Sequence, residues 1–235
     1  MTTSEVLREL EQYGNEQTKK VLLKHGVKEP FFGVKVADLK KIQKKIKKDY
    51  QLALELFDSG NSDAMYLAGL IADESQMTEA DLNKWAKDAY WYMISEYTVA
   101  WVTSETPFAL KLGMEWIDSD HENIASSGWS TLANLISIKP DEELEVSTFS
   151  KLLDRVATEI HDERNRVRYT MNGFVIATAA YLAELTDKAV ATAETIGKVY
   201  VDVGGTACKV PLATEYIQKI KDKGRIGKKR KEARC

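Results

Sequence analysis

Hydrophobic residues recur every three to four positions along most of this chain, which is the spacing of α-helices that bury one face. Between residues 35 and 48, Val36, Leu39, Ile42 and Ile46 form such an apolar stripe. The same periodicity predicts helices at about 3–13, 16–25, 50–59, 62–73, 78–87, 89–100, 104–117, 121–138, 141–158, 164–184, 186–197 and 211–222. The four prolines lie only where these patterns begin or end. The chain is therefore predicted to be all-α.

Three of the predicted helices share a glycine surrounded by small and apolar residues, at Gly69, Gly128 and Gly173. Such positions let a neighbouring helix approach closely. The last two glycines are 45 residues apart, a spacing typical of HEAT-type helical pairs, whereas the first two are 59 apart. A HEAT-like helical-repeat solenoid is therefore expected, and a helix bundle without repeats is the alternative.

One segment departs from the helical pattern. Residues 198–210 read KVYVDVGGTACKV, in which valines alternate with polar residues up to the pair Gly204 and Gly205. This pattern predicts a short β-hairpin inserted among the helices. Because Lys198 and Lys209 stand near its ends, the hairpin is expected to reach into a groove of a partner; a hairpin that only connects two helices is the alternative.

Two short stretches hold nearly half of the positive charge, although the whole chain has a net charge of −3. Residues 35–48 contain seven lysines and one acid, and residues 219–235 contain nine basic residues and two acids. Such segregation indicates a surface for a polyanion; a solvated lysine face and a frayed tail are the alternative. We expect a repeat domain over residues 1–222 and a basic C-terminal tail over 223–235. The residues expected to contact the polyanion here are Lys40, Lys41, Lys44, Lys45, Lys228, Lys229 and Arg230.

A second candidate site combines arginines with aromatic residues. Arg164, Arg166 and Arg168 stand at the start of a predicted helix, where guanidinium groups and backbone N–H groups together suit phosphate oxygens. Ion pairing with the adjacent acids is the competing interpretation. The segment AYWYMISEYTVAW contains Tyr97 and Trp101, and aromatic residues near basic ones are typical of proteins that stack on nucleobases. Plain core packing explains the same helical spacing.

Several classes of site are absent from the sequence. No nucleophile stands beside a base and no phosphate-binding glycine loop follows a strand, so no catalytic residue is predicted. The three histidines lack metal-ligand spacing, and the two cysteines suggest no disulfide framework. We therefore expect no metal or cofactor and a reducing, cytoplasmic environment. No apolar run is long enough to cross a membrane, and the polar N-terminal segment does not have the pattern of a signal peptide.

The chain resembles the AlkD-like superfamily of bacterial DNA alkylation repair proteins. The segments that carry the resemblance are FFGVKVADLKKIQKKI, EYTVAWVTSE, WIDSDHENIASSGW and DERNRVRYTMNGF, in this order. The resemblance implies a HEAT-like solenoid whose concave basic face holds duplex DNA. In active members of the superfamily, it also implies excision of cationic alkylated purines.

The catalytic pattern of those active members is not retained. The resemblance places Tyr97 where they have a tryptophan and Trp101 where they have the acid; a register shifted by four residues pairs Trp101 with Glu105 instead. On a later helix, Phe174 takes the place of a second tryptophan and Ala177 that of an arginine. No basic residue occupies the position of the remaining arginine. The aromatic site positions are therefore Tyr97, Trp101 and Phe174, on a glycosylase scaffold without the glycosylase site.

In lacking this catalytic pattern, the chain resembles the non-glycosylase branch of the superfamily, known as AlkF and AlkG. Members of that branch also carry an inserted β-hairpin. This likeness implies binding to distorted or branched DNA without excision of bases. We also expect the protein to be a monomer. Two alternatives remain: an active alkylpurine glycosylase that uses Glu105 or Glu96 as its acid, and a HEAT-like scaffold for a protein partner.

Overall fold

The structure is a computed structural model, and it describes residues 1–234. The chain forms thirteen α-helices, a π-helix at Met93–Val99 that continues directly into α7, and two single-turn 3₁₀ helices. The α-helices are α1 (Thr3–Gln12), α2 (Glu16–Lys24), α3 (Val36–Ile46), α4 (Tyr50–Asp58), α5 (Ser62–Ile71), α6 (Glu79–Asp88), α7 (Ala100–Ser104), α8 (Ala109–Trp116), α9 (Glu122–Ile138), α10 (Val146–Glu159), α11 (Asn165–Tyr181), α12 (Thr186–Ile196) and α13 (Ala213–Asp222). The predicted all-α class is therefore correct.

The helices pack in two layers. One row runs from α3 through α5, the π-helix with α7, α9 and α11 to α13, and each member packs on the next. The second layer lies against this row, with α4 on α5, α8 on α9 and α12 on α11. Two hydrophobic clusters fill the space between the layers, one in each half of the chain. Two stacked layers, with successive helices alternating between them, are the arrangement expected of helical repeats.

Two of the three singled-out glycines lie where helices approach closely. A Cβ atom added at Gly128 would lie 2.7 Å from the backbone N of Ile117 and 2.9 Å from the carbonyl O of Gly113. At Gly69 it would lie 2.6 Å from the side chain of Thr98. At Gly173 an added Cβ meets nothing within 4 Å, so this glycine serves no close approach.

Replacing Gly128 by Ala is expected to destabilise the protein by about 2–3 kcal/mol, because the new methyl group meets backbone atoms of α8 that cannot turn aside. Gly173→Ala is the matched control, since it also lies inside a helix and has open space around it. It should stabilise by about 0.5–1 kcal/mol through helix propensity alone. Urea denaturation of both variants checks the difference; similar effects at the two positions would contradict it.

The predicted β-hairpin is wrong. No β-strand occurs within residues 1–234, and the segment after Val199 is an irregular loop. The turn itself does form, since Gly204 and Gly205 have φ angles of 68° and 69°. The polar groups of Asp202, however, are taken by Asn165 at the start of α11: Asp202 N–H donates to Asn165 Oδ1 at 2.7 Å, and Asn165 Nδ2 donates to Asp202 O at 2.8 Å. These bonds replace the cross-strand ladder that a hairpin needs.

The basic tail lies along the repeat helices rather than projecting from them. The backbone N–H of Gly227 donates to the carbonyl of Ala180 at 2.8 Å, and that of Arg230 donates to the carbonyl of Ser137 at 2.7 Å. At its end, Arg234 is buried. The tail therefore runs from the C-terminal end of α11 back towards the N-terminal half of the chain.

Candidate nucleic-acid interface

A buried carboxylate positions the lysine-rich helix α3. Asp63, in the first turn of α5, accepts hydrogen bonds from the backbone N–H groups of Phe32, Gly33 and Val34 at 2.6, 3.0 and 3.0 Å. These three residues form the turn that leads into α3. Gly33 has a φ of 78°, a left-handed conformation that favours glycine. The local fold of this turn therefore determines how α3 presents its lysines.

The four predicted lysines of α3 do not have equal surroundings. Lys41 pairs with Asp38 at 2.7 Å, and Lys45 pairs with Glu9 of α1 at 2.5 Å. Lys40 and Lys44 have no ion-pair partner within residues 1–234. The ammonium groups of Lys40 and Lys44 are therefore available to an external anion.

The three predicted arginines point to three different surroundings. Arg166 donates two hydrogen bonds to Glu96 of the π-helix, from Nε to Oε1 at 2.7 Å and from Nη2 to Oε2 at 2.5 Å. Arg164 donates from Nη1 to the carbonyl of Ser119 at 2.9 Å, and its Nε lies 3.4 Å from Oε2 of the adjacent Glu163. The Nε of Arg168 is buried and has no hydrogen-bond partner among the described residues. Pairing with an adjacent acid, the competing interpretation, is therefore correct for Arg164, whereas the acid that pairs with Arg166 lies 70 residues away in sequence.

Arg166 forms the base of a cleft with three tyrosines, which we call the tyrosine cleft. Its guanidinium carbon lies 4.4 Å from the ring centre of Tyr92 and 4.3 Å from that of Tyr169. Tyr97 lines the same space, whose volume is about 240 Å³, and the 202–208 loop and the end of α2 close its other sides. Aromatic faces beside a guanidinium form a surface suited to stacking.

Burial governs the acid–base properties of the tyrosine cleft. It raises the pKa of Glu96 to about 7 even though Arg166 acts in the opposite direction. Burial likewise raises the pKa of Tyr92 to about 12, and it raises the pKa of Tyr97 and of Tyr169 as well. The phenols are hydroxyl groups at neutral pH with or without these shifts, and that of Tyr92 is hydrogen-bonded to Nδ1 of His25 at 2.8 Å.

The other candidate acid is occupied by the C-terminal tail. Glu105 accepts a hydrogen bond from the backbone N–H of Ala233 at 2.8 Å and pairs with Arg234 at 2.9 Å. Arg234 also pairs with Glu74 at 2.8 Å and donates to the carbonyl of Ala72 at 2.8 Å. Its side chain is only 7% exposed. The end of the tail thus neutralises two carboxylates of the N-terminal half of the fold.

Of the three predicted aromatic positions, the structure brings only one to a cleft. Tyr97 lines the tyrosine cleft. Trp101 is 3% exposed and packs edge-on against Tyr97 and Tyr66, and Phe174 is fully buried against Trp129. Trp101 and Phe174 are therefore core residues, as the alternative interpretation of the aromatic spacing held.

The remaining predicted cations lie on other parts of the surface. Lys198 and Lys209 are exposed at the two ends of the irregular loop, and Lys198 lies 4.8 Å from the ring centre of Tyr200. In the tail, Lys229 pairs with Asp141 at 2.7 Å, and Arg230 donates to the carbonyl of Ala233 at 2.8 Å. The predicted set is thus spread over several parts of the molecule and does not form one patch.

The sequence interpretation missed a second basic site beside α13, which we call the α13 pocket. Its volume is about 440 Å³. It is lined by Ala180, Tyr181, Tyr216, Lys219, Ile220, Lys223, Arg225, Lys228, Lys229 and Arg230. The basic composition of residues 219–235 was the available signal, but the tail had to fold back onto α11 before these residues enclosed a space.

Two further classes of site are absent. No group of three or more histidine, cysteine, aspartate or glutamate side chains could hold a metal ion within residues 1–234. In the same part of the chain, no helix is both long and apolar enough to cross a membrane.

The structure thus defines an all-helical repeat protein with basic and aromatic clefts at its surface. Residues 6–216 match the family model of the DNA alkylation repair enzymes, and the chain belongs to that family. The match covers most of the chain, and the AlkD-like resemblance of the sequence is confirmed.

Individual relatives are similar over nearly their whole length. The uncharacterised proteins Lin0241 of Listeria innocua and Lmo0209 of Listeria monocytogenes are each 34% identical over 229 residues, which cover 95% of this chain and 99% of theirs. One solved structure is 40% identical, covers 100% of both chains and has a TM-score of 0.93. It is described as a new family of proteins related to the HEAT-like repeat DNA glycosylases, with affinity for branched DNA structures. The predicted HEAT-like helical fold is therefore confirmed.

Proposed function

We propose that this protein binds distorted or branched DNA and does not excise bases. The solved relative has affinity for branched DNA, and it matches this chain over its full length at 40% identity. The free lysines of α3, Arg168 at the start of α11 and the cations at the ends of the irregular loop supply positive charge for phosphates, whereas Arg164 and Arg166 are already paired with acids. In this proposal, residues 1–222 form the binding domain, and residues 223–235 add a basic tail to it.

One observation carries the non-catalytic part of the proposal: both candidate acids already have cationic partners. Excision of a cationic purine requires a carboxylate near the sugar, where positive charge develops as the bond breaks. Glu96 is only 3% exposed and is held by two hydrogen bonds from Arg166, while Glu105 is held by Arg234 and the backbone of Ala233. Neither carboxylate is free to face a deoxyribose.

We further infer that the protein acts as a monomer in the cytoplasm. Cys208 is a free, exposed cysteine, which is the state expected in a reducing compartment.

The DNA-binding part is tested by fluorescence anisotropy with linear duplex, forked and four-way-junction DNA at two salt concentrations. We expect tighter binding to the branched forms and a steep loss of affinity with salt. Lys40→Gln combined with Lys44→Gln should reduce the magnitude of the negative slope of log K against log salt by about 2, because two phosphate contacts are removed. Lys87→Gln with Lys151→Gln is the matched control, since these exposed lysines lie on α6 and α10. Equal affinity for all DNA forms, or an equal effect of both double variants, would refute this part.

The non-catalytic part is tested by incubating the protein with alkylated DNA and measuring released purine by chromatography. We expect no release. Release that is lost in Glu96→Gln or in Glu105→Gln would identify an active glycosylase and overturn the proposal.

A further inference from the structure

We propose that the α13 pocket binds backbone phosphates of a second DNA arm, while the first arm lies against α3 and the start of α11. This inference rests on the proposed function and extends it, because it assigns a place to the arm that distinguishes branched from linear DNA.

The charge of the α13 pocket is the first argument. No acidic side chain lines the pocket, and five of its cations have no ion-pair partner among residues 1–234: Lys219, Lys223, Arg225, Lys228 and Arg230. The one paired cation is Lys229, which contacts Asp141. Five uncompensated positive charges around one space repel each other, so an anion in that space removes an unfavourable interaction as well as adding a favourable one.

The shape of the pocket is the second argument. Tyr216, Lys219 and Lys223 lie on one face of α13, because they are spaced by three and four residues. Arg225 follows at the end of the helix. The hydrogen bond from Gly227 N–H to the carbonyl of Ala180 holds the tail beside α11, where Lys228 also lines the pocket. Tyr216 is 49% exposed beside these cations and offers a flat surface to a sugar or base. Lysine and arginine side chains in such a concave arrangement are suited to phosphate oxygens.

The position of the pocket along α11 is the third argument. Arg166 lies in the first turn of α11, whereas Tyr181 ends that helix and lines the α13 pocket. Fifteen helical residues separate them, which corresponds to about 22 Å. One helix thus connects the two basic sites, and a branched molecule can occupy both with different arms. At this distance, substitutions in one site are not expected to affect the other site directly.

The test is a triple variant, Lys219→Gln, Lys223→Gln and Arg225→Gln, with Lys20→Gln, Lys87→Gln and Lys151→Gln as the matched control of equal charge change. We expect the triple variant to bind a four-way junction about tenfold more weakly, with a salt slope lowered by about 3. Its affinity for linear duplex should change less than about twofold, and the control should match the wild type.

A second measurement tests anion binding by the α13 pocket without branched DNA. Inorganic pyrophosphate should raise the melting temperature of the wild type and of the control, but not that of the triple variant.

Unchanged junction binding together with no pyrophosphate effect would overturn the assignment and leave the proposed function standing. Equal losses for junction and duplex would overturn the second-arm role. If the wild type shows no junction preference while the pyrophosphate effect persists, the proposed function fails and the pocket remains a phosphate site. Stabilisation by polyglutamate but not by pyrophosphate would assign the pocket to an acidic protein segment instead.

Discussion

Arg166→Gln is expected to destabilise the protein by about 3–5 kcal/mol at pH 8, because it leaves the buried carboxylate of Glu96 without a cation. The substitution also removes the guanidinium from between the rings of Tyr92 and Tyr169, which costs about 1 kcal/mol more. Urea denaturation measures the loss.

The dependence of this loss on pH distinguishes the ion pair from general packing. In the wild type the pKa of Glu96 is about 7, raised by burial from an ordinary value of 4.5. The folded protein therefore binds more protons than the unfolded chain between these values, so the contribution of Glu96 to stability falls as pH rises through this window. Without Arg166 the pKa rises further. The penalty of Arg166→Gln should thus be largest at pH 8 and shrink towards pH 5, where Glu96 is protonated in both proteins.

The double variant Glu96→Gln with Arg166→Gln is the control, because it removes both charges while the change of volume at position 166 is the same as in the single variant. It should recover much of the stability at pH 8, and its penalty should vary little with pH. The prediction would be contradicted if Arg166→Gln lowered the free energy of unfolding equally at pH 5 and pH 8. It would also be contradicted if the double variant were no more stable than the single one, since the ion pair would then not determine the loss.

Asp63→Ala is expected to cost about 3–5 kcal/mol, because three backbone N–H groups lose their acceptor at once. Two of the three hydrogen bonds, those from Gly33 and Val34, are buried, so water cannot replace the carboxylate there without opening the turn. Loss of this turn should also misplace α3, and we expect weaker DNA binding than for the wild type even where the variant remains folded.

Asp38→Ala is the matched control for this prediction. It removes an aspartate from the first turn of α3 whose one ion pair, with Lys41, is exposed. Such a pair contributes less than about 1 kcal/mol. Hydrogen–deuterium exchange of residues 32–34 provides a local readout: faster exchange in Asp63→Ala but not in Asp38→Ala is expected, and unchanged exchange in both would contradict the role of Asp63.

The helices were predictable because their determinants are local. The apolar stripe of α3 and the polar residues that cap α1, α4 and α6 act within one or two turns of the chain. The β-hairpin prediction was wrong because the determinants of a strand are not local. A strand is stabilised by a partner elsewhere, and here the partner of Asp202 is the side chain of Asn165 rather than another strand. Valine alternation alone does not reveal this competition.

The candidate site was predictable only in part. The basic stretches and the Arg164–Arg168 segment are visible in the sequence, but their long-range ion pairs, such as those of Lys45 with Glu9 and of Arg166 with Glu96, are not. Arg166 meets Glu96 because α11 packs beside α9, which in turn packs on the π-helix. Tyr97 was expected at a site and lines the tyrosine cleft, whereas Trp101 and Phe174 point into the core.

By itself, then, the sequence determined the helical class, the location of most helices, the segregation of positive charge and the resemblance to the DNA alkylation repair family. These follow from periodicity, composition and the order of motifs, all of which are properties of neighbouring residues. Only the tertiary structure decided which charges are neutralised and which remain free. It placed both candidate acids against arginines and folded the tail onto α11, leaving five cations of the α13 pocket without an ion pair among the described residues. The physical reason is that an ion pair depends on the distance between two side chains in space, and stacking of distant helices determines that distance.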